Sequence, residues 1–269
     1  MRPYLRVGTA LLATMVCLAA TAAYCQQPSP AEQTLAKNAE AGRYTFLVFY
    51  KQDGPATQSM LQAVKQNTAA RADEASVSLV PAGHPSEKRL VAKLGVGRAP
   101  MPLCVVLAPN GAVTGLFQKS PSAKEVANAF ATLTMTHCMK AMQDGKIVLI
   151  CVQDGLNVAT APAVEEFQAD AQFKNRVATV SLDPSDPAET EFLEQLGLDA
   201  ANQQAIATVI LAPPGVLVGK YKFDALHTEM AAELHAAGKC CDDPNCKHHK
   251  HTHTNAKSAA QQSPTTRRK

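Results

Sequence analysis

Cys240, Cys241, Cys246, His248, His249, His251 and His253 fall within fourteen positions of one segment, "GKCCDDPNCKHHKHTHTN". Thiolate and imidazole at this density can supply a four-coordinate Zn(II) site or a Cu(I) site, with "DDPN" as the turn that folds the cysteines toward each other. The spacing matches no standard zinc finger. Two other readings fit the same residues. Cys246 can form a disulfide with Cys240 or Cys241 in an oxidising compartment, leaving one cysteine for another chain, or the histidines can be a solvated polar run in a disordered extension. The rest, "AKSAAQQSPTTRRK", is poor in apolar residues and reads as disordered.

A second group of soft donors lies in "MTHCMKAM": Met135, His137, Cys138, Met139 and Met142 would suit Cu(I). On a helix they spread around more than one face, and methionine is also common core filler. Cys104 and Cys151 stand singly in apolar runs, as small buried hydrophobes do. A third place for chemistry is "YKQDGPATQSM", where an apolar run meets a tight turn and a helix start. Asp53, Gly54, Pro55 and Ala56 form that turn. Asp53 reads as a helix cap favoured by the helix field. As a general base or metal ligand it lacks a partner acid or nucleophile nearby in the sequence.

The elements that position these groups repeat. "LVFYKQDG", ending at Gly54, returns as "LICVQDG", ending at Gly155. "SLVPAGHPSEKRLVAKLGV" from Ser78 returns as "SLDPSDPAETEFLEQLGL" from Ser181, and "CVVLAPNG" from Cys104 as "TVILAPPG" from Thr208. Each copy reads as strand, turn and helix, strand, short helix ending at "LG", strand, "PNG" or "PPG" turn, strand and final helix. Such alternation predicts an α/β sandwich with a central sheet. The first copy's last helix opens with a Ser122/Glu125 capping box, carries Val126, Phe130 and Leu133 on one face, and runs to about Met142. In the second copy Leu226, Met230 and Leu234 form the stripe and Gly238 ends the helix.

The chain of 269 residues begins "MRPYLR", followed by "VGTALLATMVCLAATAA", a basic start and an apolar run closed by small residues. That is the pattern of a secretory signal, cleaved after Ala22 or Cys25, and predicts an exported protein, periplasmic or extracellular. No later apolar run reaches the roughly 20 residues needed to span a bilayer. The formal charge of +3 is held at the ends, since the tail carries seven basic and two acidic residues and the signal adds Arg2 and Arg6, which leaves residues 26–238 at −4. A mildly acidic body without a basic stripe argues against a nucleic-acid partner. The predicted organisation is a signal peptide over 1–25, a linker over 26–39, domains over 40–143 and 144–238, and a tail over 239–269.

The turn and the proline-led third strand resemble the thioredoxin-like fold. In that family a central strand runs into Cys-Gly-Pro-Cys at a helix N-terminus, and a cis-proline before the third strand sits against it. Gly54 and Pro55 match the middle pair, Asp53 and Ala56 stand in place of the cysteines, and Pro102 of "APMPLCVVLAPNG" stands at the cis-proline position. In the second copy "DGLN" (Asp154, Gly155, Leu156, Asn157) again lacks both cysteines, Ile206 aligns with Pro102, and Pro162 stands where the family kinks its first helix. The resemblance implies two tandem domains, each with a central mixed sheet flanked by helices. They would be redox-silent at both turns, with a groove beside Pro102 able to take an extended peptide.

The expectation is therefore a binding or scaffold protein rather than an enzyme, with protein or peptide partners, Zn or Cu at the tail and no organic cofactor. The rival is a thiol–disulfide oxidoreductase or metal-transfer protein that uses the tail cysteines.

Overall fold

The computed structural model describes residues 27–153, 160–198 and 206–238. The signal segment, the second turn (Asp154, Gly155, Leu156, Asn157) and the whole Cys/His tail lie outside them. The first unit runs α1 (Pro30–Glu40), β1 (Tyr44–Tyr50), α2 (Pro55–Thr68), β2 (Ala75–Pro81), α3 (Lys88–Lys93), β3 (Leu103–Leu107), β4 (Val113–Phe117) and α4 (Ala123–Asn128). The second repeats the order with α5 (Leu133–Gln143), β5 (Ile147–Val152), α6 (Pro162–Ala169), β6 (Val177–Leu182), α7 (Thr190–Gln195), β7 (Thr208–Ala212), β8 (Val216–Tyr221) and α8 (His227–Ala236).

Each unit holds one four-stranded mixed sheet, ordered β2-β1-β3-β4 and β6-β5-β7-β8. β1 pairs parallel with β2, from Tyr44 opposite Ala75 to Tyr50 opposite Pro81, and antiparallel with β3. β5 repeats both relations with β6 and β7. A parallel pair needs a crossover, which α2 and α6 supply, whereas the antiparallel β3–β4 and β7–β8 pairs close through the short "PNG" and "PPG" turns. Both antiparallel pairs slip register at the equivalent place, between Val106 and Leu107 and between Ile210 and Leu211.

The inner strands are buried on both faces, which is why "TFLVF" and "IVLICV" read as continuous apolar runs. Phe46 and Val48 of β1 pack toward Met60, Val64 and Val126 of α2 and α4, while Leu47 and Phe49 pack toward Ala31 and Leu90 of α1 and α3. The second unit divides in the same way. Leu149 meets Phe167, Met230 and Leu234 of α6 and α8, and Ile150 meets Cys138, Phe192 and Leu193 of α5 and α7.

Five expectations are corrected. Residues 26–39 are not a linker, because α1 lies there and buries Ala31 in the first core. The helix expected from Ser122 to Met142 is two helices: α4 ends after Asn128, and Thr132 caps α5 by accepting from the Met135 N–H at 3.2 Å. Because α5 packs on the second sheet, the chain enters the second unit near residue 132 rather than at 144. Pro162 kinks nothing, since it is the first residue of α6, where its missing N–H has no helical partner to lose. Leu133 and Leu226, each expected on a buried stripe, are 73% and 66% exposed at helix starts. Other details are as read: the Ser122/Glu125 capping box is formed, and Gly238 follows α8 in the left-handed region at φ 65°.

A buried carboxylate ties the first helix of each unit to its sheet edge. Ser29 Oγ accepts from the Glu32 N–H and donates to Glu87 at 2.6 Å. Thr132 Oγ1 accepts from the Met135 N–H and donates to Glu189, also at 2.6 Å. Glu87 and Glu189 are both buried and occupy equivalent places in "PSEKRL" and "PAETEF".

Candidate functional site: the turn after the central strand

β1 ends at Tyr50, and α2 begins at Pro55, whose fixed φ suits the first helical position. The residue at the N-cap is therefore Gly54, in extended backbone, and no side chain caps the helix. Asp53 stands one residue too early for the N-cap role expected of it. It is exposed, and its Oδ1 accepts from Gln58 Nε2 at 2.5 Å. The turn is held from within by Thr57, buried, whose hydroxyl donates to the Gln52 carbonyl at 2.9 Å. Sequence reading missed Thr57; the signal was a hydroxyl two residues into a helix that lacks a capping side chain.

Facing this turn, the Met101–Pro102 peptide is cis. A shallow pocket of about 440 Å³ lies between the two, lined by Lys51, Gln52, Gly54, Pro55, Ala56, Thr57, Met101 and Pro102. Among the described residues Met101 makes no main-chain hydrogen bond, so its N–H and C=O are left for solvent or a ligand. The lining has one cation and otherwise neutral groups, with Asp53 outside it. Among the described residues no cysteine lines the pocket, and its groups can receive a chain and hydrogen-bond it.

Among the described residues no thiol lines the pocket. Cys104, Cys138 and Cys151 are free and buried. Burial pushes the Cys104 thiol up to about 12, and burial together with the nearby Glu189 charge does the same for Cys138. Cys151 is raised by burial too. These thiols stay protonated at neutral pH and are poor nucleophiles. Of the soft donors in "MTHCMKAM", His137 is exposed, whereas Met135, Cys138, Met139 and Met142 line a single groove. Among the described residues no group of three His, Cys, Asp or Glu side chains is placed to hold a metal ion. The expected metal ligands Cys240, Cys241, Cys246, His248, His249, His251 and His253 lie outside those residues.

No family model and no curated protein sequence matches the chain. Solved structures do. One is the N-terminal NTD_N/C domain of the alkylhydroperoxide reductase AhpF from Enterococcus faecalis, at 17% identity over 74% of this chain and 96% of that one, with a TM-score of 0.27. The zinc-bound form of human ERp44 shares 10% identity over 78% of this chain and 60% of its own, with a TM-score of 0.33. The first two thioredoxin domains of Saccharomyces cerevisiae Eps1p share 11% over 73% and 90%, with a TM-score of 0.27. The fold itself is legible in the strand orders: each unit is a mixed β2-β1-β3-β4 sheet with helices on both faces, and the chain is a tandem pair of thioredoxin-like domains. No helix among the described residues is long and apolar enough to cross a membrane.

Proposed function

We propose that this chain is an exported binding or scaffold protein whose first domain receives an extended peptide beside Met101 and Pro102, and whose tail binds Zn or Cu. The observation that carries the first half is the pocket itself, an intact groove with free main-chain groups at Met101 and an Asp-Gly-Pro-Ala turn in place of a dithiol. An extended peptide would add to the Met101 main chain as a short strand, with the apolar lining setting its side-chain preference. Disulfide exchange begins with attack by a thiolate, and this turn carries no cysteine to supply one. The second half rests on seven soft or borderline donors within fourteen residues of the tail.

Two measurements test the reading. The purified protein should fail to reduce insulin disulfides, and rapid reduction would overturn redox silence. If that reduction disappeared when Cys240, Cys241 and Cys246 were replaced by Ser, the rival reading of thiol exchange or metal transfer by the tail would take its place. Anaerobic Zn and Cu titration of the protein, with and without those substitutions, tests the tail. A metal stoichiometry that falls when the cysteines are replaced supports the proposal, and an unchanged stoichiometry in both forms sinks its second half.

A further inference from the structure

A second sulfur-rich site lies away from the turn and the tail, on the helix that opens the second domain. Thr132 fixes the first turn of α5, and Cys138 is the residue this helix buries most deeply against Ile150, Phe192 and Leu196. Met135 is one turn before Cys138 and Met142 one turn after it, so all three share one face, with Cβ separations of about 5–6 Å between neighbours. Met139 borders the same groove. Together with Phe192, Leu196, Leu211 and Pro214 these four residues line a hollow of about 450 Å³ between α5, α7 and the β7–β8 turn. Three of the protein's eight methionines therefore meet one of its eight cysteines on a single helix face. His137, the one hard or borderline donor of that stretch, is exposed and does not line the hollow.

The donor set decides which ion could use such a place. Zn(II) takes thiolate, imidazole and carboxylate, and this groove has only one donor of that kind, Cys138. Cu(I) accepts thioether together with thiolate and is satisfied by few, soft ligands. The flexible methionine side chain, with three rotatable bonds, can swing its sulfur onto an ion that a rigid ligand would miss. We propose that this groove is a Cu(I) site, with the Cys138 thiolate at its centre and two of the Met135, Met139 and Met142 thioethers completing it. On binding, the Cys138 S–H bond breaks, its proton passes to solvent and the sulfur keeps the electron pair that forms the Cu–S bond. Copper stays Cu(I), and nothing is oxidised. The site goes beyond the tail reading, because it uses none of the tail residues and rests on described geometry.

The test uses the full chain with Cys240, Cys241 and Cys246 replaced by Ser and His248, His249, His251 and His253 replaced by Ala, so that the tail cannot report. Cu(I) is titrated anaerobically against a chromogenic Cu(I) chelator. This protein should retain stoichiometric Cu(I), and X-ray absorption should show a sulfur-only shell. Adding Met135→Leu, Met139→Leu and Met142→Leu keeps the groove apolar and filled. It should nonetheless weaken binding by more than the roughly 10- to 100-fold that follows loss of an outer-shell partner. Circular dichroism and urea unfolding identify any variant that fails to fold, and Cys138→Ala gives an independent loss of the central ligand. Absence of Cu(I) from the tail-substituted protein, nitrogen in the copper shell, or unchanged affinity in the leucine variant would each overturn the proposal. None of these outcomes bears on whether the native tail binds metal, which the untreated protein reports separately.

Discussion

At the scale of the residue, glycine is required where a helix closes on the sheet. A Cβ on Gly115 would lie 3.0 Å from Val106 Cγ2 and 3.2 Å from Ala129 Cβ, both in the packed face between β3, β4 and the end of α4. At the equivalent Gly219 it would fall on the Tyr221 hydroxyl and the Glu233 carboxylate, which are hydrogen-bonded to each other. Gly115→Val should therefore destabilise the first domain by roughly 1–3 kcal/mol through overpacking, read as a lower urea midpoint with little change in slope. The buried thiols give a second expectation. Cys104, Cys138 and Cys151 should resist iodoacetamide in the native protein at pH 8 and react once it is unfolded in urea, as counted by mass spectrometry. Fast native labelling of Cys104 would contradict its burial. The sequence carried the turn residues but misled on Asp53. One position decides capping, and Pro55 fixes the helix start so that Gly54, not the aspartate, occupies the cap.

At the scale of the element, the copies share a device that their local sequences disguise. Ser29 and Thr132 each cap the first helix of a domain and donate to a buried glutamate in the turn that follows the edge strand β2 or β6. Ser29→Ala removes a cap, ordinarily about 1 kcal/mol, and also leaves Glu87 buried without that donor, so the loss should total roughly 2–4 kcal/mol. Thr132→Ala should act alike through Glu189, and Ser29→Thr should recover most of the stability. Denaturant unfolding of the three variants checks this, and a loss below about 0.5 kcal/mol for both alanine variants would show that the glutamates find other partners. The strands and the helices after them were readable because their apolar runs repeat. The two leading helices were not. α1 is "PAEQTLAKNAE", polar on most faces: Ala31 and Leu35 are its apolar contacts with the core, and the buried Asn38 is a polar one, donating to Thr45 of β1 and Ser76 of β2. α5 follows α4 with no proline or glycine between them, and only the Thr132 cap separates the two.

At the scale of the whole molecule, the cores follow the helices rather than the repeat as the strings align. Residues from Ala31 to Ala129 fill the two core faces of the first domain, and residues from Cys138 to Leu234 fill those of the second. The domains are linked by small polar ties, such as Gln143, whose side-chain amide accepts from the Val113 N–H at 2.9 Å and donates to the Val113 carbonyl at 2.8 Å. Such hydrogen bonds contribute about 1 kcal/mol each, too little to make one cooperative unit of two complete cores. α5 thus belongs to the second domain energetically, and it is the helix on which that domain's second core face depends. A fragment spanning 132–238 should fold alone with a cooperative urea transition. One spanning 144–238 begins after α5, exposes Ile150, Phe192 and Leu196, and should lack a cooperative transition and bind hydrophobic dye. The two fragments, compared by circular dichroism and urea titration, read the boundary directly. A 144–238 fragment as stable as 132–238 would return α5 to the first domain, and with it the helix that carries the sulfur groove.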